Sequence, residues 1–317
     1  MSATEISAKS GIPEDVLREK FGIAGKHIAA TDEHVTDMCV SAAAPLLERN
    51  DPSEVDAVLY FGSHWKDYLI WQAAPMIQER LGIEGFSIEA VNVSAGAPIA
   101  LKLASDMLRS DPSLRSILLV GASKESHLLD YSDSASRFMF NFGDGAAAAV
   151  MARGLRRNAV LGSSILTDGS FSEHVRMQGG GSKHPATAET VSAGMHRLGL
   201  VDGVEMKSQL DPITLKNFLK VSTEALERSG LEVDDIDLLL PIHMKRSLHD
   251  SILVELGVEQ GNAWYLDHYG HMSAVDPLMS LAQCSEQGKL SEGSVALLLA
   301  AGTGYTWAAT VIRWGAV

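Results

Sequence analysis

Apolar and polar positions along this chain follow two rhythms. Short continuous apolar runs have the length of buried strands, and longer stretches repeat apolar residues three and four apart, as on one face of a helix. Residues 55–61 form an apolar run closed by Gly62. The spacing then predicts a helix over 71–81, a strand over 86–93 and a helix over 99–109. The run SILLVGAS at 116–123 reads as a strand buried on both faces. The run GAAAAVM at 145–151 reads as a strand whose small side chains let another backbone approach closely. The pattern continues with a strand over 159–166, a helix over 212–229, a strand over 236–242 and helices over 246–256 and 277–287. A strand over 295–301, a Gly-rich turn and a last strand over 308–313 complete it.

The two halves end alike. ILLVGAS leads through a Gly-containing corner to GAAAAVM, and ALLLAAGTG leads to YTWAATVIRW. A strand–helix half that occurs twice implies two similar α/β layers packed face to face. The expected boundaries are an N-terminal half at 1–153 and a C-terminal half at 154–317. A polar, Gly-rich excursion at about 172–206 (QGGGSKHPATAET) is long enough to cap a site.

The segment AVNVSAGA at 90–97 reads as a strand running into a tight turn with a small-residue helix behind it. A nucleophile at such a turn meets free backbone N–H groups and the positive end of the helix dipole. The residue there is Ser94, which as a plain helix N-cap would need no chemistry at all.

Composition narrows the partners. The chain has 317 residues, enough for a full core, and a formal net charge of -14, which argues against nonspecific nucleic-acid or anionic-membrane binding. Cys39 and Cys284 stand far apart, without zinc or disulfide spacing, so no metal is expected and a reducing cytoplasm is the simplest home. No apolar run reaches spanning length, and residues 1–12 lack the apolar core of a signal peptide.

Five separated segments, in order, carry a family resemblance: FGIAGKHIAA from Phe21, FGDGA from Phe142, LPIH ending at His243, YGHMSA from Tyr269, and GTGYTW from Gly302. On these the chain resembles the thiolase-fold condensing enzymes of the β-ketoacyl synthase III type. The resemblance implies an α/β fold of two thiolase-like βαβ halves in a layered α-β-α-β-α sandwich. It implies a cavity where a nucleophile on a helix start takes an acyl group from a thioester, with a His and an Asn holding the carbonyl and the developing enolate. In this chain the cysteine position is Ser94, the histidine is His243 and the asparagine position is His271.

A serine hydroxyl needs a general base within hydrogen-bond reach. Ser94, His243 and His271 are therefore expected to converge in one chamber, with Asp276 or Asp267 orienting an imidazole and His64 entering from the loop after residues 55–61. Lys26, Lys245 and Arg246 are the candidate contacts for a coenzyme A thioester, which is a co-substrate and not a permanently bound cofactor. Tyr68, Trp71, Phe138 and Phe140 are candidates for an acyl pocket, while His127, His174, His184, His249 and His268 are expected at the surface. The family opens with a strand before its first motif. Only a short polar stretch precedes Phe21 here, so a gap in the first sheet is expected, filled by another segment or by residues upstream.

The function that the resemblance implies is acyl transfer from an acyl-CoA or acyl carrier protein thioester to a small-molecule acceptor, by a Ser-His-His site in a homodimer. Two alternatives stand beside it. One is retro-Claisen cleavage of a β-keto acid or β-ketoacyl thioester in the same cavity, and the other a non-catalytic partner subunit of a condensing enzyme.

Overall fold

A computed structural model describes residues 1–316, apart from the side chains of residues 134, 135, 204, 205 and 207. In chain order the elements are α1 (Ala3–Ser10), α2 (Glu14–Val16), α3 (Val35–Leu47), β1 (Ala57–Tyr60), α4 (Ala73–Arg80), β2 (Phe86–Glu89), α5 (Gly96–Ser110), β3 (Ser116–Ser123), β4 (Gly145–Ala152) and β5 (Arg157–Thr167). They continue with β6 (Val175–Met177), α6 (Ala188–Ser192), β7 (Leu198–Leu200), α7 (Gly203–Arg228), β8 (Leu238–Pro241), α8 (Arg246–Glu255), α9 (Asp276–Glu286), β9 (Val295–Gly302) and β10 (Thr306–Ala316).

The described strands form two four-stranded sheets, β2-β1-β3-β4 and β5-β10-β9-β8, and a small β6-β7 pair. The halves repeat a pairing scheme: β1 runs parallel to β3 as β8 does to β9, and β4 antiparallel to β3 as β10 does to β9. β3 is buried along its whole length and β9 along nearly all of it, which is why both read as unbroken apolar runs. Each fully buried leucine of β9 contributes about 2 kcal/mol through the surface it removes from water.

Two helices fill the space between the sheets. α5 packs on β3 of one sheet and on β5, β9 and β10 of the other, and α9 packs on β4, β8 and β9. α3 and α4 cover the outer face of the first sheet, and α7 covers that of the second. The result is the layered α-β-α-β-α sandwich of the thiolase fold. α5 comes this close because its first residue is glycine. A Cβ on Gly96 would stand 2.5 Å from the Phe61 carbonyl oxygen and 2.8 Å from the Ala274 methyl.

Several boundaries differ from the apolar spacing. The strand expected over 86–93 ends at Glu89, because the chain bends into a 3-10 turn at Val93–Ala95. The helix expected from 212 starts at Gly203 and carries Pro212 inside it. α3, which the strand–helix reading leaves unassigned, buries Val35, Met38, Cys39 and Ala43. The polar N-terminal stretch is itself ordered: Ser2 and Glu5 form a capping box on α1, whose Ile6 is buried with Leu17, Ile23 and Phe140.

The gap expected in the first sheet is present. β10 is paired on both edges, by β9 and β5, whereas β4, its counterpart, ends its sheet. None of the described strands fills that place. A groove of about 510 Å³ runs beside the open edge, lined by β4 from Ala148 to Ala152 and by Leu101, Leu108, Leu278 and Leu281 of the central helices. None of the described helices is long and apolar enough to cross a membrane, and no cluster of the described residues could hold a metal ion.

Candidate active site

The starts of the two central helices meet at the seam between the halves. Each is preceded by a 3-10 turn, Val93–Ala95 before α5 and Ser273–Val275 before α9. Each turn opens on a residue in the left-handed region, Val93 at φ 44° and Ser273 at φ 54°. A β-branched residue there costs about 1–3 kcal/mol and persists only where its surroundings fix it. On the first turn this conformation presents Ser94 towards the second.

Ser94 is buried, and its Oγ lies 2.8 Å from His271 Nε2. His271 Nδ1 donates to Asp276 Oδ2 at 2.6 Å. This fixes the tautomer: Nδ1 carries the proton and Nε2 is free to accept from the serine hydroxyl. Asp276, the first residue of α9, is fully buried. Its other oxygen accepts from the Met272 amide at 2.7 Å, and Oδ2 also accepts from the His243 amide at 2.9 Å. Burial opposes charge on His271. The Asp276 charge and hydrogen bond, with Glu125 adding to them, outweigh it and hold the imidazole above the usual histidine range.

The backbone around His271 is fixed by the FGDGA segment. The His271 amide donates to Asn141 O at 2.7 Å, and the Gly143 amide donates back to His271 O at 2.9 Å. The Phe142 ring meets the imidazole edge-on, with centroids 5.2 Å apart. Asp144 faces away, accepting from the Ala29 and Ser126 amides and the Ser126 hydroxyl.

The sequence places His243 in the same chamber facing Ser94, and the structure turns its ring elsewhere. Its Nε2 donates to Gly22 O at 3.0 Å, and Asn141 Nδ2 donates to its Nδ1 at 2.9 Å. Both nitrogens are committed, so the three-way convergence of Ser94, His243 and His271 becomes a Ser94–His271–Asp276 line with His243 behind it. Burial pushes the His243 imidazole down to about 4. The sign follows: between pH about 6.5 and 4 the unfolded chain binds a proton that the folded chain refuses, so stability falls as the solution is acidified. We expect His243→Gln to flatten this acid limb, which for the native residue amounts to about 3 kcal/mol. Thermal unfolding midpoints of both proteins from pH 4 to 7 check it, and parallel curves would refute it.

Ser94 opens on a cavity of about 300 Å³. Leu128 and Phe142 line one wall, and Val175, Met177 and Leu198 of the β6-β7 pair close another, so part of the excursion caps the site. His64 lies exposed at the rim beside Trp65. Thr303 lines the cavity from the turn between β9 and β10. The end of β9 packs on the Ser94 turn: a Cβ on Gly302 would stand 2.8 Å from Asn92 O and 3.1 Å from the Ser94 amide nitrogen. The Ser94 amide lies in the first turn of a helix start, where N–H groups lack an intrahelical acceptor, and so it is a donor for an oxyanion. Gly302→Ala is expected to displace this turn by a few tenths of an ångström and to lower the catalytic rate about tenfold or more, with the fold retained. Steady-state turnover together with far-UV circular dichroism checks it, and an unchanged rate would refute it.

Other sequence candidates sit apart. Lys26 is buried, its Nζ donating to Phe140 O at 2.9 Å and Phe142 O at 2.6 Å over the Tyr131 ring. Burial lowers its pKa to about 7. It braces the FGDGA loop and has no face for a ligand. Lys245 is exposed at the start of α8, and the Arg246 guanidinium stacks 3.7 Å over Tyr265. Tyr68 is exposed and packs on Trp71, Phe140 belongs to the α1 cluster, and Phe138 stacks against Phe142 outside the cavity lining. His174 and His249, expected at the surface, are buried, the latter against Tyr265. Burial pushes the Cys39 thiol well up and that of Cys284 to about 11, so neither is poised as a thiolate.

One ionisable residue of the cavity lining escaped the sequence reading. Glu125, 7% exposed, lines the cavity with Ser94 and accepts from the Ser63 hydroxyl at 2.5 Å. The available signal was its position just past the buried strand SILLVGAS, at the strand's C-terminal end, where α/β sites gather.

Residues 226–314 match the sequence family described as 3-oxoacyl-[acyl-carrier-protein] synthase III C terminal, and residues 88–169 match 3-oxoacyl-[acyl-carrier-protein] synthase III. The β-ketoacyl-[acyl-carrier-protein] synthase III of Syntrophomonas wolfei is 32% identical over 303 residues, covering 94% of this chain and 88% of the relative. The chain belongs to the β-ketoacyl-[acyl-carrier-protein] synthase III family. The synthase III of Desulfitobacterium hafniense (strain DSM 10664 / DCB-2) is 30% identical, over 93% of this chain and 88% of its own length. Among solved structures, the Thermus thermophilus synthase III superimposes with a TM-score of 0.85 at 25% identity, over 100% of this chain and 96% of that one. A Xanthomonas campestris OleA variant with bound lauric acid and lauroyl-CoA shares the fold, with a TM-score of 0.81 at 18% identity over 99% of this chain and 95% of that one.

Proposed function

We propose that this member of the synthase III family is a serine acyltransferase. Ser94 stands where the family's acylated cysteine is expected, and it takes the acyl group of a coenzyme A or carrier-protein thioester. The observation that carries this reading is the hydrogen-bonded line Ser94–His271–Asp276, at 2.8 and 2.6 Å. In the first step His271 Nε2 accepts the hydroxyl proton as Ser94 Oγ bonds to the thioester carbonyl carbon. The oxyanion meets the Ser94 amide, the C–S bond breaks, and the imidazolium returns its proton to the leaving thiolate. In the second step His271 takes a proton from an acceptor hydroxyl or amine, which attacks the ester carbonyl; the acyl–Oγ bond breaks and the imidazolium returns the proton to Ser94 Oγ. Asp276 holds the tautomer and stabilises the imidazolium in both steps.

Decarboxylative condensation and its reverse need a second neutral donor on the carbonyl. His243, the expected donor, has both nitrogens engaged. This favours transfer over retro-Claisen cleavage, and a complete triad speaks against a non-catalytic scaffold. Lys245 and Arg246, at the start of α8 just past His243, are the proposed basic contacts for the thioester's phosphates. The strand edge of β2, where Phe86 is 45% and Ile88 37% exposed, is the proposed homodimer face. Incubation with a panel of acyl-CoAs followed by peptide mass mapping tests the reading. The expected result is an acyl adduct on the Ser94 peptide with release of free thiol. Adducts confined to cysteines, or none across the panel, would overturn it.

A further inference from the structure

The Ser94 cavity is apolar except at a few points, and among the described residues one of these is an ionisable group buried in the wall. Leu69, Val93, Leu128, Phe142, Met177 and Leu198 supply most of the lining, with His64 at the exposed rim. Against this surface stands the Glu125 carboxyl, on the 3-10 turn Glu125–Leu128 that follows β3. Ser63 donates to its Oε1, and the Ser63 hydroxyl in turn accepts from the Trp65 amide at 2.9 Å. Ser273 lies beside the same carboxyl, yet its Oγ meets no hydrogen-bond partner of good geometry among the described residues.

A carboxyl in an apolar wall is costly to bury unless its oxygens are hydrogen-bonded. A single hydroxyl donor leaves most of that capacity unused. A purely hydrocarbon acyl chain filling the cavity would strip water from Glu125 and offer nothing in return. Resting on the acyltransferase reading, we propose that Glu125 selects the acyl group, and that the cavity accepts a hydroxylated acyl chain whose O–H donates to the Glu125 carboxyl. Burial raises the pKa of this carboxyl. A hydroxyl suits it in either form, donating to the carboxylate or accepting from the protonated acid. An ammonium would fit only the ionised form, and its own desolvation would oppose binding in an apolar chamber beside the imidazolium that forms on His271.

The test compares matched thioesters: butyryl-CoA against 2-, 3- and 4-hydroxybutyryl-CoA and 4-aminobutyryl-CoA, read as kcat/KM for thiol release. Native protein, Glu125→Leu and Glu125→Gln are run in parallel. The readout is the ratio of hydroxylated to plain chain, which cancels any general loss of activity in a variant. The native protein should favour one hydroxybutyryl isomer about ten- to a hundredfold, the worth of a hydrogen bond to a charged or buried acceptor. Leu should reverse the ratio, and Gln should keep a preference for the hydroxylated chain. A native preference for butyryl-CoA or for the amino chain, or a ratio unchanged in Glu125→Leu, would overturn the proposal.

Failure of the parent reading is separately visible. A small fluorophosphonate that leaves Ser94 of the native protein unmodified would sink the triad. In that case the same acyl chains as unreactive amides of cysteamine, followed by thermal shift, still report selection. Glu125 selects if the hydroxylated amide stabilises the native protein more than the plain one and this difference disappears in Glu125→Leu. It does not select if the two amides act alike.

Discussion

Ser94→Ala should give a folded protein that forms no acyl adduct and releases thiol from its best thioester at least about a thousandfold more slowly than the native chain. The size follows from the role proposed for Ser94: removing the nucleophile of a serine–histidine–aspartate unit costs nearly as much as removing all of it. The change itself is small. It deletes one hydroxyl whose hydrogen bond runs to His271 Nε2, in a turn held by Val93 and by the contact with Gly302. Stability should therefore change by about 1 kcal/mol or less, and a thermal midpoint near that of the native protein separates lost chemistry from lost fold. Steady-state thiol release with intact-protein mass checks the result. If Ser94→Ala cleaved β-keto acids at a rate near native, the cavity would be doing carbon–carbon chemistry with the histidines, and the retro-Claisen reading would replace transfer.

Asp276→Asn is expected to have the second-largest effect, about a thousandfold or more in kcat/KM, and to change the pH profile as well as its height. In the proposed mechanism the general base is neutral His271, so the acylation rate of the native protein should rise with pH through the pKa of that imidazole. The neighbouring Asp276 charge sets the pKa above the usual histidine value, and the midpoint should therefore lie above about 6.5. Asparagine removes the charge that opposes burial, so the midpoint should move down. It also presents an amide N–H that can donate to Nδ1, stabilising the tautomer whose Nε2 proton points at the serine. A pH–rate profile of both proteins decides the matter. A native rate and an unmoved midpoint in Asp276→Asn would show that Asp276 is merely the N-terminal residue of α9.

The contrast between His271 and His243 shows how far the sequence can be read. Both are candidates for one chamber, since each lies in a recognisable segment, His243 at the end of LPIH and His271 within YGHMSA. What separates them is a carbonyl from residue 22 and an amide from residue 141, far from both in the chain. Asp276 is within reach of the sequence because it lies five residues from His271, a spacing that a 3-10 turn followed by a helix start folds back on itself. Lys26 goes the other way. A lysine near a motif looks like a phosphate contact, and only the packing of residues 140–142 over it reveals a buried brace.

The layers are written in the chain's own pattern. Unbroken apolar runs such as 116–123 and 295–301 can only be strands covered on both faces, and their recurrence with the same corner after each one specifies a duplicated sandwich. The position of Ser94 at a helix start is legible too, because a strand followed by a small-residue helix marks the turn between them. Which imidazole reaches that serine and which carboxyl faces the cavity are fixed only once the two halves pack together. Those contacts join residues more than a hundred positions apart, or on turns whose direction depends on strained residues held from outside, and hydrogen bonds over such separations leave no period or spacing in the chain.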